Sequence, residues 1–261
     1  MPLAYDTAGS GPCVVLVHGH PFDRSLWEPQ VSALAHHFRV VAPDLRGFGE
    51  SPVTAGVVTI PDHADDVEDL LARLSAERAA VVGLSMGGLV AMELVTRNPD
   101  RCWALGLVAT TAEPPTPQER KVRRERADQI ERDGLRVLID YMQSGLYGSR
   151  ATRAMRESVD AMMARAPVHG AASALRGRAE RTDYRPRLAA LDLPTLVCTG
   201  SEDPWSDAAV TAEIVAHLRL PETLLLEGVG HLPNVEAEES FNRALIDFLG
   251  RHAPATQAAP T

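Results

Sequence analysis

Gly83-Leu84-Ser85-Met86-Gly87 sets a hydroxyl between two glycines, directly after the apolar run Ala79–Val82 and directly before a run of helical period. A strand that turns sharply into a helix holds its corner residue in a strained conformation. The glycines let neighbouring backbone pass without a Cβ clash, and the oxygen stands at a helix N-terminus, which favours developing negative charge. The chemistry this suits is nucleophilic attack, for which a serine needs a base. Among nine histidines, His231 in Gly228-Val229-Gly230-His231-Leu232 lies in a loop after an apolar strand. Open α/β sheets place ligand sites at that end. His18 shares a strand end but precedes the serine, and reads as structural. His36, His37, His63, His217 and His252 fall in helical stretches that read as exposed. An imidazole base needs a carboxylate to fix its tautomer. Gly200-Ser201-Glu202-Asp203-Pro204 supplies Asp203. Its rivals are Glu202, one residue off in an extended turn, and Asp207, which reads as a helix N-cap. The candidate triad is Ser85, Asp203 and His231.

Acyl transfer also needs donors for a tetrahedral oxyanion. The Met86 amide follows the candidate nucleophile, and the loop His18-Gly19-His20-Pro21-Phe22 offers the His20 amide, since Pro21 has none to give. The His20 ring reads as solvent-facing or as a substrate contact. Trp27, Trp205 and Leu232 are candidate pocket liners. No HExxH or CxxC spacing occurs, and Cys13, Cys102 and Cys198 each lie in or beside apolar sequence as reduced thiols. No metal and no cofactor is expected.

These residues must be held by a sheet. Short apolar runs at Val14–Val17, Val40–Ala42, Ala79–Val82, Ala104–Ala109, Thr195–Thr199 and Thr223–Leu226 alternate with helical periods at 25–37, 60–74, 86–97, 207–218 and 237–249. Continuous apolar strands between helices indicate a buried parallel sheet. The alternation stops at 113–187, where helical, arginine-rich sequence takes over. That segment holds 16 Arg/Lys against 11 Asp/Glu, in a chain whose net charge is −9. The expected organisation is an α/β core from 1–112 and 188–252, a helical lid inserted at 113–187, and a disordered tail at 253–261. The lid charge reads first as solvated helix faces, with attraction of an anionic substrate as the functional alternative.

Composition narrows the class. At 261 residues and 45% hydrophobic the chain is ordinary globular material. No run approaches the length of a membrane span, and the first residues lack a signal-peptide pattern. The acidic balance argues against nucleic acid as a partner. A cytoplasmic location is expected; oligomeric state is not legible.

The chain resembles the α/β-hydrolase fold superfamily. His18-Gly19 is similar to the family's oxyanion-loop HG, Asp44-Leu45-Arg46-Gly47-Phe48-Gly49-Glu50-Ser51 to its DxRGxGxS loop, and Gly83–Gly87 to its nucleophile elbow. Thr199–Asp203 and Gly230-His231 resemble its acid and histidine loops. The resemblance implies a mostly parallel central sheet flanked by helices. Only Leu3–Thr7 is available where the family has two leading strands, so seven strands are expected as readily as eight. Among members the chain is most similar to small esterases and lactonases, including enol-lactone hydrolases. This implies a serine hydrolase acting on a small carboxylic ester or lactone through an acyl-enzyme. The same elbow also serves carbon–carbon bond hydrolases, lyases or cyclases, and slow-turnover ligand receptors, and fold does not choose among them.

Overall fold

The computed structural model describes residues 1–255. Seven strands form one sheet: β1 (Tyr5–Ala8), β2 (Cys13–Val17), β3 (Arg39–Pro43), β4 (Ala79–Leu84), β5 (Cys102–Val108), β6 (Thr195–Gly200) and β7 (Pro221–Leu226). Their spatial order is β1-β3-β2-β4-β5-β6-β7, with β1 antiparallel to β3 and every other pairing parallel. Strands β2, β4, β5 and β6 are buried along their whole length, which is why they read as unbroken apolar runs. The leading strand is the single edge strand that Leu3–Thr7 allows, shifted to Tyr5–Ala8.

Six helices flank the sheet: α1 (Glu28–Leu34), α2 (Ile60–Arg73), α3 (Met86–Arg97), α9 (Ala208–Ala216), α10 (Pro233–Glu236) and α11 (Glu238–His252). Between β5 and β6 the chain builds five more: α4 (Pro117–Asp133), α5 (Arg136–Gln143), α6 (Arg153–Ala164), α7 (Val168–Ala179) and α8 (Arg185–Leu188). Local chemistry sets the starts. Thr59 and Asp62 form a capping box on α2, and Thr116 and Glu119 form one on α4, each with proline in the first turn. The helix expected at 25–37 is divided, a 3₁₀ turn at Arg24–Trp27 preceding α1, because the Asp23 carboxylate caps Ser25 and Pro29 restarts the helix. Of the expected tail, Ala253 packs partly against the core, and residues 256–261 lie outside the described residues.

The sheet order places the site. From β2 the chain steps outward to β3, then crosses back to lay β4 on the other side of β2. Loops leaving the carboxyl ends of β2 and β4 therefore diverge, opening the crevice where doubly wound sheets bind ligands. The register keeps these ends level: Val17 lies opposite Gly83, Leu84 opposite Val108, and Gly200 opposite Leu226.

The loop after β3 braces this edge. Asp44, fully buried, accepts the amides of Arg24 at 2.7 Å and Glu50 at 2.8 Å and pairs with the Arg24 guanidinium. Arg46 reaches Asp66 on α2 through two bonds of 2.6 and 2.7 Å. Burial alone would raise the Asp66 carboxyl, but the Arg46 bonds and charge outweigh it and hold it below its ordinary range. A depressed folded value contributes stability above the ordinary carboxylate range and loses it as pH falls through the folded value. Asp66→Asn is therefore expected to remove about 2 kcal/mol at pH 7, since it leaves a largely buried guanidinium half-paired. Thermal melts of both proteins should differ at pH 7 and converge only as the pH falls below the ordinary carboxylate range, through the depressed folded value at which wild-type Asp66 is protonated.

Candidate active site

Ser85 is the turn between β4 and α3, with φ 54° and ψ −110°, a region that non-glycine residues rarely occupy. Its backbone is over-determined, as such strain requires. The Ser85 amide donates to the Val108 carbonyl at 2.8 Å, and the Ser85 carbonyl accepts from Thr110 Oγ1 at 2.8 Å and the Gly88 amide at 3.0 Å. The flanking glycines are required by close approach. A Cβ on Gly83 would lie 2.1 Å from the Gly87 carbonyl oxygen, and one on Gly87 would lie 2.1 Å from that of Val17. Because both obstacles are backbone, Gly87→Ala is expected to lower stability by about 3 kcal/mol. A melt should show this as a drop of about 6–12 °C, at about 2–4 °C per kcal/mol for a chain of this size.

Asp203 and His231 meet directly. His231 Nδ1 lies 2.7 Å from Asp203 Oδ2, in a pair almost sealed from solvent. The carboxylate is also held by Ser206, whose hydroxyl donates to Oδ2, and by the Trp205 amide, which donates to Oδ1 at 2.9 Å. Burial pushes the Asp203 carboxyl up, but His231 and these hydrogen bonds prevail and keep it below its ordinary value. An ionised Asp203 accepts from Nδ1–H, so Nε2 is left as the basic nitrogen of the ring. The rivals take other work. Glu202 accepts the Ser149 amide and hydroxyl at 2.6 and 2.8 Å, and Asp207 caps α9 through the amides of Ala209 and Val210.

The His231 loop is bolted to the insertion. Buried Glu236 accepts the amides of Gly148 at 2.8 Å and Gly230 at 3.1 Å, and the His231 amide donates to the Leu146 carbonyl at 2.9 Å. Desolvation raises the Glu236 carboxyl above its ordinary value, with the amide bonds opposing. Glu236 and Ser206 were not evident from sequence. The spacings Asp203-x-x-Ser206 and His231-x₄-Glu236 carry the signal, but each also reads as an ordinary turn or helix-start residue.

The loop after β2 presents the other half of the site. The Leu45 amide donates to His18 Nε2 at 2.9 Å, so the proton is on Nδ1, which donates to the Gly19 carbonyl at 2.8 Å. That carbonyl also accepts the Phe22 amide at 3.0 Å. In a trans peptide the N–H points opposite to the C=O. Pinning the Gly19 carbonyl therefore aims the His20 amide the other way, and among the described residues neither it nor the Met86 amide meets a protein acceptor. Gly19 itself lies against Ser85, its Cβ position 3.2 Å from that of the serine.

Three readings change. The His20 ring is buried, with Nε2 donating to the Ala171 carbonyl on α7 at 2.9 Å, because the insertion roofs this loop. Burial drives its pKa down to about 3, keeping it neutral. His63 is buried as well, since it lies on the core face of α2. Of the proposed pocket liners, Trp27 and Leu232 expose no surface. Trp27 packs on Phe241 of α11 at 6.2 Å between ring centroids, as core. Only Trp205 stays partly accessible, its ring edge-on to His231 at 4.9 Å. Ser85 is likewise partly accessible.

Family comparison agrees with this fold. A family model described as the alpha/beta hydrolase fold matches residues 12–238. The chain belongs to that family. It is 28% identical to 3-oxoadipate enol-lactonase 1 of Acinetobacter baylyi, over 92% of this chain and 89% of that protein. Among solved structures, an esterase from Thermogutta terrifontis, determined with malate bound, superposes with a TM-score of 0.94 at 35% identity, covering 97% of this chain and 94% of the other. The enol-lactonase of Burkholderia xenovorans LB400 superposes at 0.88 with 29% identity, covering 95% and 96%. This α/β hydrolase thus sits among esterases and lactonases. Among its described residues no helix is long and apolar enough to cross a membrane, and no group of three or more His, Cys, Asp or Glu side chains is placed to hold a metal ion.

Proposed function

We propose that this hydrolase cleaves a small carboxylic ester or lactone through Ser85, His231 and Asp203. The observation that carries this is the buried Asp203–His231 pair, which commits Nδ1 to the carboxylate and frees Nε2 to act as base. His231 Nε2 takes the Ser85 proton as Oγ attacks the carbonyl carbon. The tetrahedral oxyanion is stabilised by the His20 and Met86 amides, with the α3 N-terminus adding its partial positive charge. The imidazolium then protonates the leaving oxygen, giving an acyl-enzyme. A water deprotonated by the same nitrogen attacks that acyl group, and collapse of the second oxyanion returns the serine hydroxyl. Asp203 stays ionised and holds the ring throughout.

The esterase and enol-lactonase names of similar proteins support this reading over carbon–carbon bond hydrolysis, lyase or cyclase chemistry, and a receptor role. The test is turnover of short-chain p-nitrophenyl esters and small lactones, together with labelling by a fluorophosphonate probe. Ester or lactone turnover with labelling at Ser85 is expected. Labelling at Ser85 with neither substrate class turned over would move the activity to other chemistry of the same fold.

A further inference from the structure

The insertion gathers arginines that are partly withdrawn from solvent. Helix α4 has only Ala127 and Ile130 as buried residues, and Arg123 and Arg126 share their face at helical spacing, both partly withdrawn from solvent. On α7, which packs along α4, Arg178 follows Ala171 by seven residues and so lies on the same face. Ala171 is the residue whose carbonyl holds the His20 ring. A long helical side chain runs back toward the helix N-terminus, so the Arg178 guanidinium reaches toward Ala171 and His20.

These guanidinium groups are under-partnered among the described residues. Arg178 Nε and Arg123 Nη1 are sealed from solvent without a hydrogen-bond acceptor. Neither Arg178 nor Arg126 forms an ion pair among the described residues, and Arg123 has only Glu119, at 3.6 Å. Neighbouring Arg181 is different: its donors go to the carbonyls of Glu113 at 3.0 Å and Arg178 at 3.3 Å. Burial and the adjacent arginines drive the Arg178 pKa down to about 9, and its charge helps to keep His20 neutral. Withdrawing a guanidinium N–H from water without an acceptor is costly, and a carboxylate supplies the acceptors that Arg178 Nε and Arg123 Nη1 lack.

A chain of aromatic contacts links the cluster to His231. Arg126 Cζ lies 3.3 Å over the ring of Tyr141, Tyr141 stacks on Trp205 at 6.0 Å, and Trp205 abuts His231 at 4.9 Å. Arg178 faces the loop whose His20 amide is offered to the oxyanion. A separate cavity of about 210 Å³, lined by Ile60, Arg181, Tyr184 and Arg187 among others, includes no triad residue.

Resting on the ester or lactone reading above, we propose that the substrate carries a free carboxylate, which Arg178 and Arg126, with Arg123 behind them, bind while the scissile carbonyl lies at Ser85. Guanidinium–carboxylate bonds are charge-assisted and two-pronged, so the cluster both selects the substrate and fixes which end meets the serine.

The test compares mono-p-nitrophenyl glutarate with p-nitrophenyl pentanoate, which match in acyl length and leaving group and differ in a carboxylate for a methyl. Wild-type kcat/KM should favour the glutarate ester by about tenfold or more, as one charge-assisted bond would give. Arg178→Gln and the partly exposed Arg126→Gln should each collapse that preference, leaving pentanoate turnover within about threefold of wild type. Calorimetric titration of glutarate into Ser85→Ala gives a readout independent of turnover. Binding is expected there, and its loss when Arg178→Gln is added. A wild-type preference for pentanoate, or a glutarate preference that survives both arginine variants, would overturn the proposal. Failure to hydrolyse either ester while Ser85→Ala still binds glutarate would instead overturn the ester reading and leave the carboxylate site standing.

Discussion

Ser85→Ala should reduce turnover of p-nitrophenyl acetate by about 10⁵- to 10⁶-fold while leaving the protein as stable as wild type. The rate loss follows from the role proposed for Oγ: without it no acyl-enzyme forms, and loss of the nucleophile in a triad costs about as much as loss of the whole triad. The stability expectation rests on the structure. Ser85 Oγ makes no hydrogen bond to protein, so removing it strands no partner among the described residues, and alanine brings no Cβ that serine lacks at φ 54°. The melting temperature should stay within about 2 °C, corresponding to a change inside about 0.5 kcal/mol. Steady-state kinetics and a thermal melt on the same preparation check both halves. Retained turnover in a folded variant would assign the attack to another group or to water. Loss of fold would mean that the elbow depends on a contact beyond the three hydrogen bonds to the Ser85 backbone described above.

How much of this was legible in the sequence depends on where the energy lies. The central strands β2, β4, β5 and β6 were readable because each is buried on both faces and must be apolar almost throughout, and α3 was placed at Met86–Arg97 to the residue. The elbow was readable because backbone packed against backbone at Gly83 and Gly87 admits no other residue type. What stayed hidden arises from long-range contact. His20 and His63 read as exposed or helical positions, since nothing local records that α7 covers one and that the other lies on the buried face of α2. Trp27 could not be told from a pocket wall, because core and pocket make the same demand on a tryptophan. The inward arginines read as solvated surface for a related reason. A charged helix face is nearly always wet, and only the packing of α4 against α7 draws Arg123, Arg126 and Arg178 partly out of solvent.

Asp203→Asn carries the second large effect, a loss of about four orders of magnitude in kcat with KM within about threefold. The hydrogen-bond geometry determines the direction. Asp203 accepts on both oxygens: Oδ1 from the Trp205 amide, and Oδ2 from His231 Nδ1–H and the Ser206 hydroxyl. Asparagine offers one carbonyl and one amino group. The Trp205 amide can only donate, so the asparagine carbonyl must face it. The amino group then faces the other two partners. Ser206 can rotate its hydroxyl to accept, whereas His231 can accept at Nδ1 only by moving its proton to Nε2. In that tautomer the nitrogen that should take the Ser85 proton already holds one. Binding of the ester in its ground state involves neither nitrogen, which is why the loss should fall on kcat. Because the Asp203 carboxyl is held below its ordinary value, wild-type enzyme should show no loss of the carboxylate in the neutral range. Near-normal kcat in Asp203→Asn would remove the aspartate from the mechanism. Glu202 could then inherit the role only by giving up its two bonds to Ser149.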